Sequence, residues 1–182
     1  MSLTLLLGGS RSGKSRLAVQ LAAAWGGPVV VVATGEARDE EMSERIHRHR
    51  EERPSQWAII EEPVDLTGAL RNVPQGACAL VDCLTLWVSN LMERSLPDGD
   101  IEKLAREAAV LARARVCPSL AVTNEVGSGI IPQSALARRF ADLLGRVSSI
   151  WAGEADRVVL VAAGQVVLLS DPADALQELA RG

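Results

Sequence analysis

The chain has no tyrosine, one phenylalanine and four tryptophans, so aromatic residues make up only 3% of its 182 positions. A core built without them must be filled by Val, Leu, Ile and Ala, which suits buried parallel strands packed against Ala/Leu-rich helices. Positive charge is not in excess either. A net charge of −4 argues against a nucleic-acid partner, because non-specific polyanion affinity needs a basic face. Cysteine is scarce: Cys78, Cys83 and Cys117 cannot all pair and none has metal-site spacing, so a reduced, cytoplasmic protein is expected. Cys78 and Cys83 fall in or beside an apolar strand, as core fillers. No apolar run is long enough to span a membrane, and no secretory leader is expected ahead of a glycine-rich motif that begins at Gly8. Internal repeats and low-complexity linkers are also missing, which leaves a single α/β domain over residues 1–182.

That motif, Gly8-Gly9-Ser10-Arg11-Ser12-Gly13-Lys14-Ser15, follows the apolar run 3–7 and matches G-x-x-x-x-G-K-[ST], the phosphate-binding P-loop. Its context is right: a buried strand feeds the loop and a good helix former, residues 16–24, leaves it. Gly8 and Gly13 let the backbone wrap an anion with its N–H groups inward. The following helix adds its positive dipole end. Lys14 then reaches the β- and γ-phosphates and the Ser15 hydroxyl ligates Mg²⁺. The pattern specifies a nucleoside triphosphate site.

Further along, apolar runs at 29–34, 57–60, 77–82 and 119–124 read as strands, and 39–52, 64–72, 84–92, 101–116 and 134–151 as helices. Residues 95–100 read as a loop. Residues 157–162 and 165–169 read as a hairpin turning at Gly164, placing one antiparallel edge strand on a mostly parallel sheet flanked by helices. The tail, 172–182, reads as a short helix or frayed end. The apolar helix 84–92, with Trp87, hints at a subunit interface, whereas Trp57, Trp87 and Trp151 are read as packing or interface residues.

A P-loop enzyme needs a second acid for its metal at the end of a neighbouring buried strand, and Asp82 closes such a strand. Its plainer role is to cap the helix that begins at Leu84. The two histidines, His47 and His49, sit two apart among Arg45, Arg48, Arg50 and Arg53. On a helix they point in different directions, so they do not make a two-histidine metal site. Such a segment ordinarily forms a solvated, charged surface. A histidine among arginines has another use: the imidazole is a nucleophile and the guanidiniums steady the phosphate under attack. Residues 35–40 could hinge the histidine helix over the P-loop. Glu125 could take a proton from a substrate hydroxyl, or cap the glycine loop Gly127-Ser128-Gly129.

Taken in order, these segments resemble the bifunctional adenosylcobinamide kinase/adenosylcobinamide-phosphate guanylyltransferase family of cobalamin biosynthesis. The resemblance rests on the P-loop, Val32-Ala33-Thr34, Arg45-Ile46-His47-Arg48-His49-Arg50, Arg53-Pro54, Glu61, Val81-Asp82-Cys83 and Val122-Thr123-Asn124-Glu125-Val126-Gly127. It implies a RecA-like P-loop fold with two activities. One phosphorylates adenosylcobinamide with ATP or GTP. The other moves GMP from GTP onto a histidine, releasing pyrophosphate, and then onto the cobinamide phosphate, giving adenosylcobinamide-GDP. The matching histidine is His49, with His47 as the fallback. By the same matching, Ala33, Thr34, Gly35, Arg50, Glu51, Glu52, Arg53 and Glu61 line the guanine nucleotide, and Asp82 takes the metal-associated position. The resemblance also implies a homo-oligomer, a trimer. The residues themselves leave two other readings: a P-loop small-molecule kinase without a histidyl intermediate, and a nucleotide-dependent regulatory or assembly subunit.

Overall fold

A computed structural model describes residues 2–169 and residue 171. The tail read as a short helix lies outside the described residues. Seven strands form one sheet: β1 (Leu3–Gly8), β2 (Val29–Ala33), β3 (Ala58–Glu61), β4 (Cys78–Asp82), β5 (Ser119–Asn124), β6 (Arg157–Ala162) and β7 (Gln165–Leu169). Their spatial order is β3-β2-β4-β5-β1-β6-β7. All neighbours run parallel except the last pair, the β6–β7 hairpin, whose turn is at Ala163 and Gly164. The fold is α/β with one antiparallel edge, as the alternation of patterns predicts.

Among the described residues six helices connect the strands: α1 (Lys14–Ala24), α2 (Glu40–Glu51), α3 (Leu66–Asn72), α4 (Leu84–Glu93), α5 (Asp98–Ala114) and α6 (Ala135–Glu154). The strand period of two sends alternate residues to opposite faces. Leu3, Leu5 and Leu7 of β1 join the larger core under α3, α4, α5 and α6, whereas Leu6 joins the smaller core under Ala18 and Ala22 of α1. Each central strand is thus buried on both faces, which is why it reads as a continuous apolar run.

Three sequence expectations need correction. Residues 95–100 are not all loop, because α5 already begins at Asp98. Asp98 and Asp100 fill its first turn, where negative charge meets the helix dipole. The apolar face of helix α4 is spent on the core, so its apolar run is not itself a sign of a subunit interface. Leu84, Trp87, Val88 and Leu91 are buried in the larger core, and the Trp87 indole N–H donates to the Val64 carbonyl at 2.8 Å. Lastly, the strand ending in Asp82 does not neighbour the P-loop strand: β5 lies between β1 and β4. That insertion gives the sheet its RecA-like order.

Candidate active site at the carboxyl edge of the sheet

Parallel strands end together, so their carboxyl ends form one rim. Register places Glu61 opposite Ala33, Ala33 opposite Asp82, Asp82 opposite Val122 and Gly8 opposite Asn124. Residues far apart in sequence therefore meet at one edge, where ligands of open α/β sheets bind.

The P-loop is held by its surroundings. Gly8 ends β1 against the hairpin, and a Cβ there would meet the Val161 carbonyl oxygen at 2.4 Å and Ser12 Oγ at 2.6 Å, so only glycine fits. Gly13 adopts φ 98°, the left-handed region that glycine enters without strain. The Gly164 N–H donates to the Ser12 carbonyl at 2.9 Å, which ties the loop to the β6–β7 turn. Lys14 is buried, and its ammonium donates to the Gly9 carbonyl at 3.1 Å. That bond folds the lysine back across the loop, ready for exchange with a phosphate.

Two cavities open above this rim and share Lys14, Ser15 and His49. The first, about 660 Å³, is lined by Ser10 through Arg16 from the loop and by Glu41, Glu44, Arg48, His49 and Glu52 from α2. The second, about 200 Å³, takes Ala33, Gly35, Arg50, Arg53, Glu61, Asp82 and Asn124 from the strand ends and α2, with Met42, Ile46 and Leu86 as apolar walls. α2 starts with an Asp39 N-cap, whose carboxylate accepts the Met42 N–H at 2.7 Å. It lies across the loop and carries few apolar residues, consistent with covering a site rather than a core.

The two histidines part company here. His49 faces both cavities, and its Nδ1 lies 3.5 Å from the Glu52 carboxylate. That contact places an acceptor near Nδ1, on the side of the ring away from Nε2. His47 is 73% exposed, pairs with Glu51 at 3.6 Å, and borders a separate surface depression with Ser43, Glu44 and Arg48.

Most, but not all, of the residues expected from sequence line the cavities. Ser10, Arg11, Ser12, Gly13, Lys14 and Ser15 do, as do Ala33, Gly35, Arg50, Glu52, Arg53, Glu61 and Asp82. Gly8 and Gly9 shape the loop behind them. Thr34 is fully buried; its hydroxyl donates to the Cys83 carbonyl at 2.7 Å and accepts the Cys83 N–H at 2.9 Å, so it clamps β2 to β4. Glu51 lines the neighbouring surface depression with His47. Glu125 is exposed and accepts the Gly127 N–H at 2.8 Å and a hydrogen bond from the Ser128 hydroxyl at 3.2 Å. It caps the glycine loop and lines neither cavity.

Among the charged residues, Arg50 pairs with Glu61, and Arg53 donates to Asp82 at 2.6 Å with both side chains largely buried. The segment ahead of α2 is latched. Glu36 pairs with Arg38 and Arg94, which hold its carboxyl below the usual range, and Arg38 donates to Asn90 Oδ1 at 3.0 Å. Asn90 in turn donates to the Thr34 carbonyl at 2.7 Å. Cys83 borders the site instead of simply filling core; burial and the Asp82 charge push its thiol up to about 11, which leaves it unreactive near neutrality.

Sequence reasoning missed Asn124. It ends β5, the strand inserted between the P-loop strand and the acidic strand, and its backbone N–H donates to the buried Thr85 hydroxyl at 2.7 Å. Only the strand order, which a linear reading does not supply, reveals its position between Lys14 and Asp82.

Ser15 and Asp82 are the residues that could hold a metal. Among the described residues there is no cluster of three or more His, Cys, Asp or Glu side chains able to bind one. One hydroxyl and one carboxylate suit Mg²⁺, a hard cation that takes most of its oxygens from phosphates and water.

The family model described as "Cobinamide kinase / cobinamide phosphate guanyltransferase" matches residues 4–169. The chain is 43% identical over 164 residues to the bifunctional adenosylcobalamin biosynthesis protein CobP of Pseudomonas aeruginosa, covering 88% of this chain and 92% of that one. It is 36% identical to the bifunctional adenosylcobalamin biosynthesis protein CobU of Escherichia coli and 37% identical to that of Salmonella typhimurium, covering 88% of this chain and 95% of each relative. A P-loop, a strand-end carboxylate and a histidine helix meeting at one rim, in a chain matched over nearly its whole described length, place this protein in the cobinamide kinase/cobinamide phosphate guanyltransferase family.

Proposed function

We infer that this chain performs both reactions of its family: phosphorylation of adenosylcobinamide by a nucleoside triphosphate, and transfer of GMP from GTP through His49 to the resulting phosphate. The observation that carries the second half is the position of His49, which lines the loop cavity with Lys14, whereas His47 lines only the adjoining surface depression. In the kinase step the loop amides and Lys14 hold the β- and γ-phosphates as the acceptor hydroxyl attacks the γ-phosphorus; the bond to the β,γ-bridging oxygen breaks, the nucleoside diphosphate leaves with that electron pair, and the hydroxyl proton passes to solvent. In the transferase step His49 Nε2 attacks the α-phosphorus of GTP. The N–P bond forms, the bond to the bridging oxygen breaks, and pyrophosphate leaves with that electron pair. Lys14 and the loop amides relieve the charge on the departing pyrophosphate, and Glu52 steadies the imidazole through Nδ1. Mg²⁺ held by Ser15 and Asp82 supplies further charge neutralisation when bound. The attack is then reversed in kind: the cobinamide phosphate oxygen displaces His49 from the guanylyl phosphorus and restores the free histidine.

GTP labelled at the α-position, incubated with protein and Mg²⁺, is expected to leave acid-labile, base-stable label on the denatured chain, whereas γ-labelled GTP leaves none. Absence of α-label despite tight GTP binding overturns the histidyl route and favours a plain kinase.

The exposed edge strand supports a homo-oligomer. Among the described residues β7 has one unpaired edge, and its Val166, Val167, Leu168 and Leu169 are 41–66% exposed, a surface that folded proteins ordinarily cover. We place the subunit contact there, in the trimer that the sequence resemblance implies. Light scattering is expected to return three times the mass of one chain; a single-chain mass sinks this assignment. The three unpaired thiols suit a reducing, cytoplasmic setting.

A further inference from the structure

Asp82 is the carboxylate expected to meet the metal of the nucleotide, yet here it already holds a cation. Arg53 Nη2 donates to Asp82 Oδ2 at 2.6 Å, and the two side chains are only 7% and 14% exposed. Such a pair is strong because its neighbours are not water, and removing either partner leaves an uncompensated charge. A dication on the same carboxylate would stand within a few ångströms of the guanidinium, in surroundings where like charges repel strongly. The two cations compete.

Arg53 also sits where its release has consequences. It follows Glu52, the C-cap of α2, and its N–H donates to the Arg50 carbonyl at 3.2 Å. The Arg53–Asp82 pair therefore pins the carboxyl end of the histidine helix to the end of β4. Both residues line the cavity that also holds Lys14 and His49. A guanidinium displaced from Asp82 stays within that cavity, beside the phosphates.

We propose that Arg53 is a built-in competitor of the metal: it neutralises Asp82 before nucleotide arrives, and the incoming metal–nucleotide displaces it, unpinning α2 and delivering a guanidinium to the phosphates. The proposal rests on the reading of Asp82 as the metal carboxylate. Arg53 acts first on Asp82 and only then at the phosphates, and the first role is the one under test, because phosphate contact alone makes metal affinity rise or stay level with Arg53 present.

The test is Mn²⁺ affinity, read by electron paramagnetic resonance at saturating guanosine 5′-(α,β-methylene)triphosphate, whose bridging carbon blocks guanylyl transfer. Arg53→Gln is expected to bind Mn²⁺ about tenfold more tightly than the unaltered protein, and Asp82→Asn about tenfold more weakly. In the Asp82→Asn background, Arg53→Gln is expected to add nothing, since there is no carboxylate left to compete for. Equal or weaker Mn²⁺ binding by Arg53→Gln overturns the competition while the loss in Asp82→Asn still upholds the metal reading. Unchanged binding by Asp82→Asn overturns the metal reading, and the competition with it. Arg53→Lys keeps Asp82 paired and so protects the fold. Its more strongly hydrated ammonium, on a shorter reach, holds the carboxylate less firmly than the guanidinium, with an expected tightening of about threefold, and no tightening there also overturns the proposal.

Discussion

Replacing His49 with alanine is expected to reduce α-labelling of the chain by GTP at least about a thousandfold, the scale on which enzymes lose activity with their nucleophile. Phosphorylation of adenosylcobinamide by the same variant is expected to stay within about tenfold of the unaltered enzyme, since γ-transfer depends on the loop, Lys14 and the metal rather than on a histidyl group. The split follows from geometry. His49 faces the loop cavity with its Nδ1 3.5 Å from Glu52, so substitution removes the proposed nucleophile and leaves the cradle of backbone amides in place. His47→Ala serves as the control. That side chain is exposed and faces a different depression, so both activities are expected to change by less than about twofold. Thin-layer separation of product from labelled nucleotide measures the kinase half, and acid-precipitated label measures the transferase half. Label that survives in His49→Ala and vanishes in His47→Ala reassigns the nucleophile. Equal collapse of both activities in His49→Ala makes the residue part of nucleotide binding instead.

The contrast between the histidines shows what a sequence can and cannot convey. The P-loop was legible because its chemistry is local: strand, glycine turn, lysine and helix follow one another within residues 3–24, and each residue type answers a need of the phosphate. The central strands were legible because burial on both faces leaves unbroken apolar runs such as 29–33 and 78–81. Partners were harder. Helical spacing separates His47 from His49 but does not say which direction meets the loop; that depends on how the segment before α2 is held by Glu36, Arg38, Arg94 and Asn90. Thr34 and Glu125 carried the right chemistry for a site yet spend it on their own neighbours, Cys83 and the Gly127–Ser128 turn. Asn124 is the converse, a residue of no local distinction brought to the rim by the insertion of β5. In each case the deciding fact is a long-range hydrogen bond or a strand order, and neither leaves a trace in periodicity.

Arg115 presents the same problem at the opposite end of the sheet, and here the expected effect is on stability. The residue follows α5, is only 2% exposed, and would pass in the sequence for an ordinary charged helix end. Its guanidinium instead donates to four backbone carbonyls: Leu70 at 3.3 Å, Val73 at 3.0 Å, Pro74 at 2.8 Å and Ala77 at 2.8 Å. Those carbonyls lie at the end of α3 and in the turn that leads to β4; Leu70 and Pro74 also accept the Val73 and Ala77 N–H groups, so the guanidinium ties the turn together beyond its own backbone bonds. Arg115→Met fills a similar volume and removes every donor. Losing four charge-assisted bonds and leaving the Val73 and Ala77 carbonyls without a donor is expected to cost about 3–5 kcal/mol, and hence to lower the melting temperature by about 10 °C for a chain of this size. Arg115→Lys, with a charge but no planar fork, is expected to recover part of the loss. The turn precedes the amino end of β4, whereas the nucleotide cavity lies at the carboxyl end with Asp82. GTP affinity measured well below the melting temperature is therefore expected to be unchanged. Urea and thermal unfolding of the two variants measure the stability effect. A loss under about 1 kcal/mol in Arg115→Met shows that water replaces the guanidinium at those carbonyls. A loss of GTP affinity without a loss of stability shows instead that the turn communicates with the rim through β4.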